Sequence, residues 1–187
     1  MIPKNKIKKI LSPRDPKDRL GFKLSKFLRK IIRKYFSRFT YFSYIVENFV
    51  DLLIPGQYCA LPKLENDTFI YTSDLELRFP VQSYTTIHLA AGYCNWLFHK
   101  YKYDDFVEIQ KGDLIVESGG FVGGFSMAAS IIGKEVHTFE PSPRNFKSLQ
   151  KNCKKYQLRN VYLYQLALFD KKSRLDFSIS ETAVDDG

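Results

Sequence analysis

Residues Lys111–Asn145 read KGDLIVESGGFVGGFSMAASIIGKEVHTFEPSPRN, and the architecture of the chain is legible there. Leu114-Ile115-Val116 is a short apolar run directly ahead of glycines, as a buried parallel strand requires. Gly119, Gly120, Gly123 and Gly124 follow within six positions and hold four of the chain's ten glycines. Phe125 to Ile132 predicts a helix of small residues, stopped by Gly133. Glu135 to Phe139 (EVHTF) predicts a second strand, with Glu140 at its carboxyl end. In open α/β sheets, ligands bind outside the carboxyl ends of the strands. Glycines there let the backbone approach a ligand closely. An acid at the tip of the second strand can accept hydrogen bonds from ribose hydroxyls. The separation from Gly119 to Glu140 matches the roughly 20 residues expected between a glycine turn and such an acid.

A dinucleotide site wants G-x-G-x-x-G, with a pyrophosphate at the helix N-terminus. The turn E-S-G-G-F-V-G-G contains no G-x-G, and Glu117 would set a negative charge beside a pyrophosphate. A nucleoside cofactor with a cationic amino-acid tail and no phosphate fits better. S-adenosylmethionine (SAM) is one.

GDLIVESGGFVGGFSMAA, followed by EVHTFEPSPRNFKSLQKN, resembles the SAM-binding core of FkbM-type methyltransferases. The first motif of that family is close to D-V-G-A-N-x-G-x-F/Y-S/T, and an E-P-x-P run follows its second strand. Glu140-Pro141-Ser142-Pro143 matches the second motif. Asn160-Val161-Tyr162 and Ala167-Leu168-Phe169-Asp170 resemble the third strand and the segment after it. The resemblance covers about Asp104 to Phe177. Glu117 stands in place of the usual Asp, Gly120 of Ala and Phe121 of Asn. The family continues with further strands and an acidic stretch near the active site, which has no counterpart before Gly187.

The resemblance implies a Rossmann-like, doubly wound, mostly parallel α/β sheet of the class I methyltransferase type, incomplete on its C-terminal side. It implies SAM as cofactor. Gly119, Gly120 and Gly123 would let the methionine portion pass, and Glu117 would pair with its amino group. Glu140, with Pro141 and Ser142 beside it, would receive the ribose, and Gln165 and Ala167 would flank the adenine. Bland readings stay open beside these. The glycines can serve a tight strand–helix turn, Glu117 can be a helix N-terminal charge favoured by the dipole, and Glu140 a solvated strand end. No residue is identified as a catalytic base.

Three cysteines (Cys59, Cys94, Cys153) and three histidines (His88, His99, His137) are scattered without metal-ligand or disulfide spacing. No metal site is expected, and the compartment is expected to be reducing and cytoplasmic. No apolar run reaches the 18 or so residues of a membrane span. The net charge of +9 is uneven. Residues 1–40 hold 14 Lys/Arg against 2 Asp/Glu, while residues 41–187 hold 15 against 18.

Residues 1–55 therefore read as a basic helical extension and 56–187 as a partial methyltransferase-like domain, with core motifs in 104–177. Met1 to Arg19, rich in Lys, Pro and Asp, predicts an irregular arm. Leu20 to Phe39 has the period of a basic amphipathic helix that can lie on an anionic membrane or bind a partner. Its bland reading is a helix packed on the domain with solvated lysines. Tyr41 to Ile54 predicts another helix. Lys63 to Asp67 reads as a loop, and Thr68–Thr72 with Leu75–Phe79 as a hairpin. Tyr84 to Tyr101 has helical character. Asp104-Asp105 reads as solvated or substrate-facing, and His137 as buried in its strand. Pro143 to Tyr156 predicts a helix capped by Ser142. Val161–Gln165 and Arg174–Ile179 predict further strands.

The function expected is SAM-dependent O- or N-methylation of a small molecule, a sugar, or a glycan or lipid-linked acceptor. The alternative is an inactive or truncated methyltransferase-like scaffold that docks on a membrane or protein through residues 20–39. Partner expectations are peripheral membrane contact through that helix and a homo-oligomer formed through an open sheet edge. The absence of base-reading motifs speaks against nucleic acid.

Overall fold

The computed structural model describes residues 1–13, 27, 31, 63–72, 74–80, 92–103, 107–174 and 176–178. Two three-stranded sheets lie in this part of the chain. The expectations for Tyr41–Ile54 and for Asp104-Asp105, and those involving Cys59 and His88, fall outside the described residues. So does most of the predicted helix 20–39.

The first sheet is an antiparallel meander of β1 (Lys63–Glu65), β2 (Thr68–Thr72) and β3 (Glu76–Pro80). The predicted hairpin is present, and Lys63–Glu65, expected in a loop, adds a third strand. Asn66 makes the tight reversal, with φ of 55°, a left-handed conformation that Asn tolerates.

The second sheet is parallel, in the order β4 (Leu114–Ser118), β5 (Glu135–Phe139), β6 (Val161–Tyr164). Four helices lie wholly within the described residues: α1 (Lys4–Leu11), α2 (Tyr93–Lys100), α3 (Gly124–Ala129) and α4 (Pro143–Lys155). Helices α3 and α4 are the β4–β5 and β5–β6 crossovers. This is the Rossmann-like α/β arrangement that the sequence predicts. Within the described residues the two sheet faces differ. Val136 and Thr138 are fully buried on the helix side, whereas Leu114 and Val116 are 63% and 57% exposed on the other.

Helix α4 joins the two sheets. The side-chain amide of its buried Asn152 accepts from the Arg78 N–H at 2.7 Å and donates to the Arg78 carbonyl at 2.8 Å. It also donates to the Val122 carbonyl at 2.9 Å. The Tyr156 hydroxyl accepts from the Glu76 N–H at 2.9 Å and donates to its carbonyl at 3.0 Å. Asn152 of α4 and Tyr156, which caps its C-terminus, thus satisfy the backbone of β3 as a neighbouring strand would, and Asn152 ties β3 to the glycine turn. Leu75, just ahead of β3, and Leu77 and Phe79 within it share a core with Cys94, Val122 and Met127.

The N-terminal arm corrects the expectation of an irregular lead-in. Helix α1 buries Ile10 completely and packs with Ile2 on the main core. Asn95 of α2 donates to the carbonyls of Lys9, Ile10 and Ser12 at 3.2, 2.7 and 2.9 Å. The last carbonyls of a helix lack intrahelical partners, and here a residue distant in sequence supplies one. Asp74 in turn anchors α2, accepting the Asn95 N–H at 2.7 Å and the Leu75 N–H at 2.8 Å. Arg174 and 176–178 are irregular, so the predicted strand from Arg174 is not formed at those residues.

Candidate cofactor-binding site

The glycine turn joins β4 to α3 at the carboxyl end of the parallel sheet. The N–H groups of Gly119 and Gly120 both donate to the Phe139 carbonyl, at 2.9 and 3.0 Å, folding the turn over the end of β5. Gly120 must be glycine for space: a Cβ there would lie 2.2 Å from Thr138 Cγ2. Gly123, at φ of 88°, closes the turn in a left-handed conformation and starts α3. Phe121 also has positive φ, 50°. Its ring rests edge-on against Phe79, with centroids 6.0 Å apart.

Glu140 organises the turn from below. Its buried carboxylate accepts the Phe121 N–H at 2.6 Å and the Ser142 N–H at 2.9 Å. Two backbone amides therefore hold the acid at the tip of β5. Glu140 opens onto a cleft of about 240 Å³, together with Gly119, Phe121, Phe139, Pro141 and Ala167. Ser118, Asn145, Leu166 and Leu168 complete the lining.

The predicted site residues separate into two groups. Gly119, Glu140, Pro141 and Ala167 line the cleft. Gly120 and Gly123 lie beneath it, against Thr138 and Leu149. Ser142 is buried and directs its N–H to Glu140. Its hydroxyl makes no capping bond to α4. Gln165 is exposed and outside the lining. Glu117 points under the turn, where its Oε2 accepts from the hydroxyls of Ser126 and Thr138. Burial is the main force on this carboxyl and pushes its pKa up to about 7. The two hydroxyl bonds pull the other way, and the negative charge of Glu140 adds to the rise.

Phe121, Phe139 and Leu168 lie within motifs that the sequence marks, though none is expected there as a site residue, and Ser118, Asn145 and Leu166 join the lining unannounced. Asn145 sits in the first turn of α4, directly after the E-P-x-P run, and that nearness is the one clue to its place.

His137 departs from its expected burial. It projects from β5 on the open face of the sheet, stacked between Tyr162 and Tyr164 at 4.9 and 5.8 Å. Its Nδ1 lies 3.0 Å from the Tyr164 hydroxyl and its Nε2 3.3 Å from Glu135. Cys94 and Cys153 are buried and reduced, with burial raising both thiol pKa values, that of Cys153 to about 12. Neither is poised as a thiolate. Among the described residues no group of His, Cys, Asp or Glu could hold a metal ion, and no helix is long and apolar enough to cross a membrane.

No protein-family model matches the chain, and no curated protein matches it. Among solved structures the chain is similar to TYW2 from P. horikoshii in complex with MeSAdo. The identity is 14% over 71% of this chain and 50% of that one, with a TM-score of 0.43. It is similar to M. jannaschii TYW2 in complex with AdoMet at 17% identity, over 54% of this chain and 44% of that one, with a TM-score of 0.40. A third similar structure is methyltransferase FkbM from Methylobacillus flagellatus KT, at 15% identity over 46% of this chain and 28% of that one, with a TM-score of 0.30. The chain spans half the length or less of these three structures.

Proposed function

We propose that the cleft at the carboxyl ends of β4 and β5 binds SAM and that the chain is the cofactor-binding core of a SAM-dependent methyltransferase. The observation that carries this is Glu140, a buried acid fixed by two amides at the mouth of the cleft. A carboxylate held in that way is placed to accept ribose hydroxyls without reorganising. Ala167 and the neighbouring Leu166 and Leu168 offer an apolar wall for adenine. Nothing lies within 4 Å of where a Cβ of Gly119 would stand, which leaves room for the methionine portion.

These residues fit an adenosine with an extended tail. The cleft is smaller than the roughly 300–1,000 Å³ of complete ligand pockets, so the described part holds the nucleoside rather than the whole reaction. Glu117 lies under the turn and acts on the tail only through its charge. SAM, when bound, supplies an electrophilic methyl group. The protein's task is then to orient the acceptor in line and exclude water. Glu140 is the one titratable group among the described lining residues, and in this reading it is occupied by ribose. A base for deprotonating a hydroxyl or amine on a small molecule, sugar or lipid-linked glycan would come from elsewhere.

Calorimetric titration with SAM, with NAD as the competing nucleoside, tests the proposal. Saturable binding of SAM that weakens about tenfold or more in Glu140→Gln is expected, from the loss of a hydrogen bond to a charged acceptor. Absence of saturable heat at millimolar SAM, or a preference for NAD, refutes it.

A second reading, a non-catalytic scaffold that docks on membranes through residues 20–39, is favoured by one observation. Phe27 and Ile31 are helical, one turn apart, and 62% and 41% exposed on the predicted apolar face. Co-sedimentation with phosphatidylserine vesicles that Phe27→Ser/Ile31→Ser leaves unchanged would remove it.

A further inference from the structure

The flank of α4 that turns away from the core carries a groove distinct from the cofactor cleft. It runs between α4 and β6 and measures about 690 Å³. Its floor is apolar, from Cys153, Leu158, Val161 and Leu163. Its rim is cationic, from Lys147, Lys151, Lys154 and Arg159, and none of the described lining residues is acidic. Asp67 engages Lys147 at 2.5 Å and Lys151 at 3.3 Å. Lys154 and Arg159 have no ion-pair partner among the described residues.

Among the described residues β6 is an edge of the parallel sheet. The Val136 N–H donates to the Asn160 carbonyl and the Glu140 N–H to the Tyr164 carbonyl, at 2.8 and 3.0 Å. The even-numbered residues of this edge therefore turn their backbones toward β5. Alternation along the strand turns the N–H and C=O of Val161 and Leu163 outward. The same two residues line the groove.

We infer that this groove receives an extended acidic peptide segment of a protein partner, which adds to β6 as a further strand. Its backbone would pair with Val161 and Leu163, an apolar side chain would rest on Leu158 and Leu163, and carboxylates would meet Lys154 and Arg159. Strand addition at an open edge takes affinity from main-chain bonds and selectivity from alternate side chains. The charge of the rim selects among occupants. A second copy approaching edge to edge would set two cationic rims against each other. A single-stranded nucleic acid would answer the charges, but its bases need aromatic platforms, and none of the described lining residues is aromatic.

The inference does not depend on SAM binding, and its test uses the full chain with a fluorescein-labelled peptide of alternating glutamate and valine. Fluorescence anisotropy compares this peptide with two others: one N-methylated at alternate amides, and one with lysine in place of glutamate. Saturable binding of the acidic peptide is expected. Its affinity should fall about tenfold or more on N-methylation, on charge reversal of the peptide, and in Lys154→Glu/Arg159→Glu. Binding that survives N-methylation, as adhesion to the lysine-rich N-terminal residues would, overturns the inference. So does absence of binding, or binding that the double variant leaves intact.

Discussion

Replacing Glu117 by glutamine removes a charge that folding buries beneath the glycine turn. The Glu117 carboxyl has its pKa pushed from an ordinary 4.5 up to about 7, chiefly by burial. At 1.36 kcal/mol per pK unit, ionised Glu117 costs the fold about 3 kcal/mol. The sign follows from which state holds the proton. Below about pH 4.5 both folded and unfolded chains are protonated at this position, and there is no penalty. Between 4.5 and 7 the unfolded chain ionises while the folded one keeps its proton, so stability falls as pH rises. Above 7 the cost is complete.

Glutamine can keep its carbonyl where Oε2 accepts from Ser126 and Thr138, and it never ionises. Any cost of seating its amide nitrogen is independent of pH. Urea denaturation followed by the fluorescence of the single tryptophan, Trp96, at pH 5, 6, 7 and 8 separates the two contributions. The stability of Glu117→Gln relative to the parent is expected to climb by about 2.5 kcal/mol from pH 5 to pH 8, since part of the cost is already present at pH 5. That is a gain of about 5–10 °C in Tm for a chain of this size. A difference that stays flat across this range refutes the burial argument, whatever its offset.

Gly120→Ala should cost about 1–3 kcal/mol by overpacking, because its Cβ would meet Thr138 Cγ2. Adding Thr138→Ser, which deletes that methyl and keeps the hydroxyl, should recover most of the loss in a double-mutant cycle of denaturation free energies. Asn95→Ala strips the Ile10 carbonyl of its side-chain donor, while the Lys9 carbonyl keeps the Ser12 hydroxyl and the Ser12 carbonyl keeps the His99 ring nitrogen, each at 3.0 Å. Amide exchange in Lys4–Leu11 should then quicken about tenfold or more, while the β4–β6 amides keep their protection.

The parallel unit was legible because its signals are local. Leu114–Val116, the glycines, EVHTF and the E-P-x-P run each announce an element within a few residues, and the structure forms β4, α3, β5 and α4 there. The elements that escaped depend on distant partners. Lys4–Leu11 lies in a segment whose lysines and prolines suggest an irregular arm. It is helical because Ile10 is buried against α2 and because Asn95, 85 residues away, takes up its carbonyls. Lys63–Glu65 is too short to show alternation and becomes a strand only by pairing with β2. The pairing of α4 with β3 through Asn152 and Tyr156 is invisible in the sequence, since neither residue breaks the helical pattern around it.

The same distinction explains why the two acids of the site have different surroundings. Both stand at strand ends beside the turn, and the sequence places both near a ligand. Glu140 lies just past the end of β5, where the chain turns and two amides can fix its carboxylate at the cleft. Glu117 is still within β4, so strand alternation sets its direction. It shares a side with Ile115, facing α3, while Leu114, Val116 and Ser118 face the other way. A strand apolar on both sides carries no pattern to reveal that parity. Thr138 and Ser126 reveal it only once the fold brings them to Glu117. The consequence is a division of labour that charge alone would not predict. Glu140 meets the cleft directly, whereas Glu117, close to half-protonated at neutral pH, acts on it only through its field and through the packing of the turn above it.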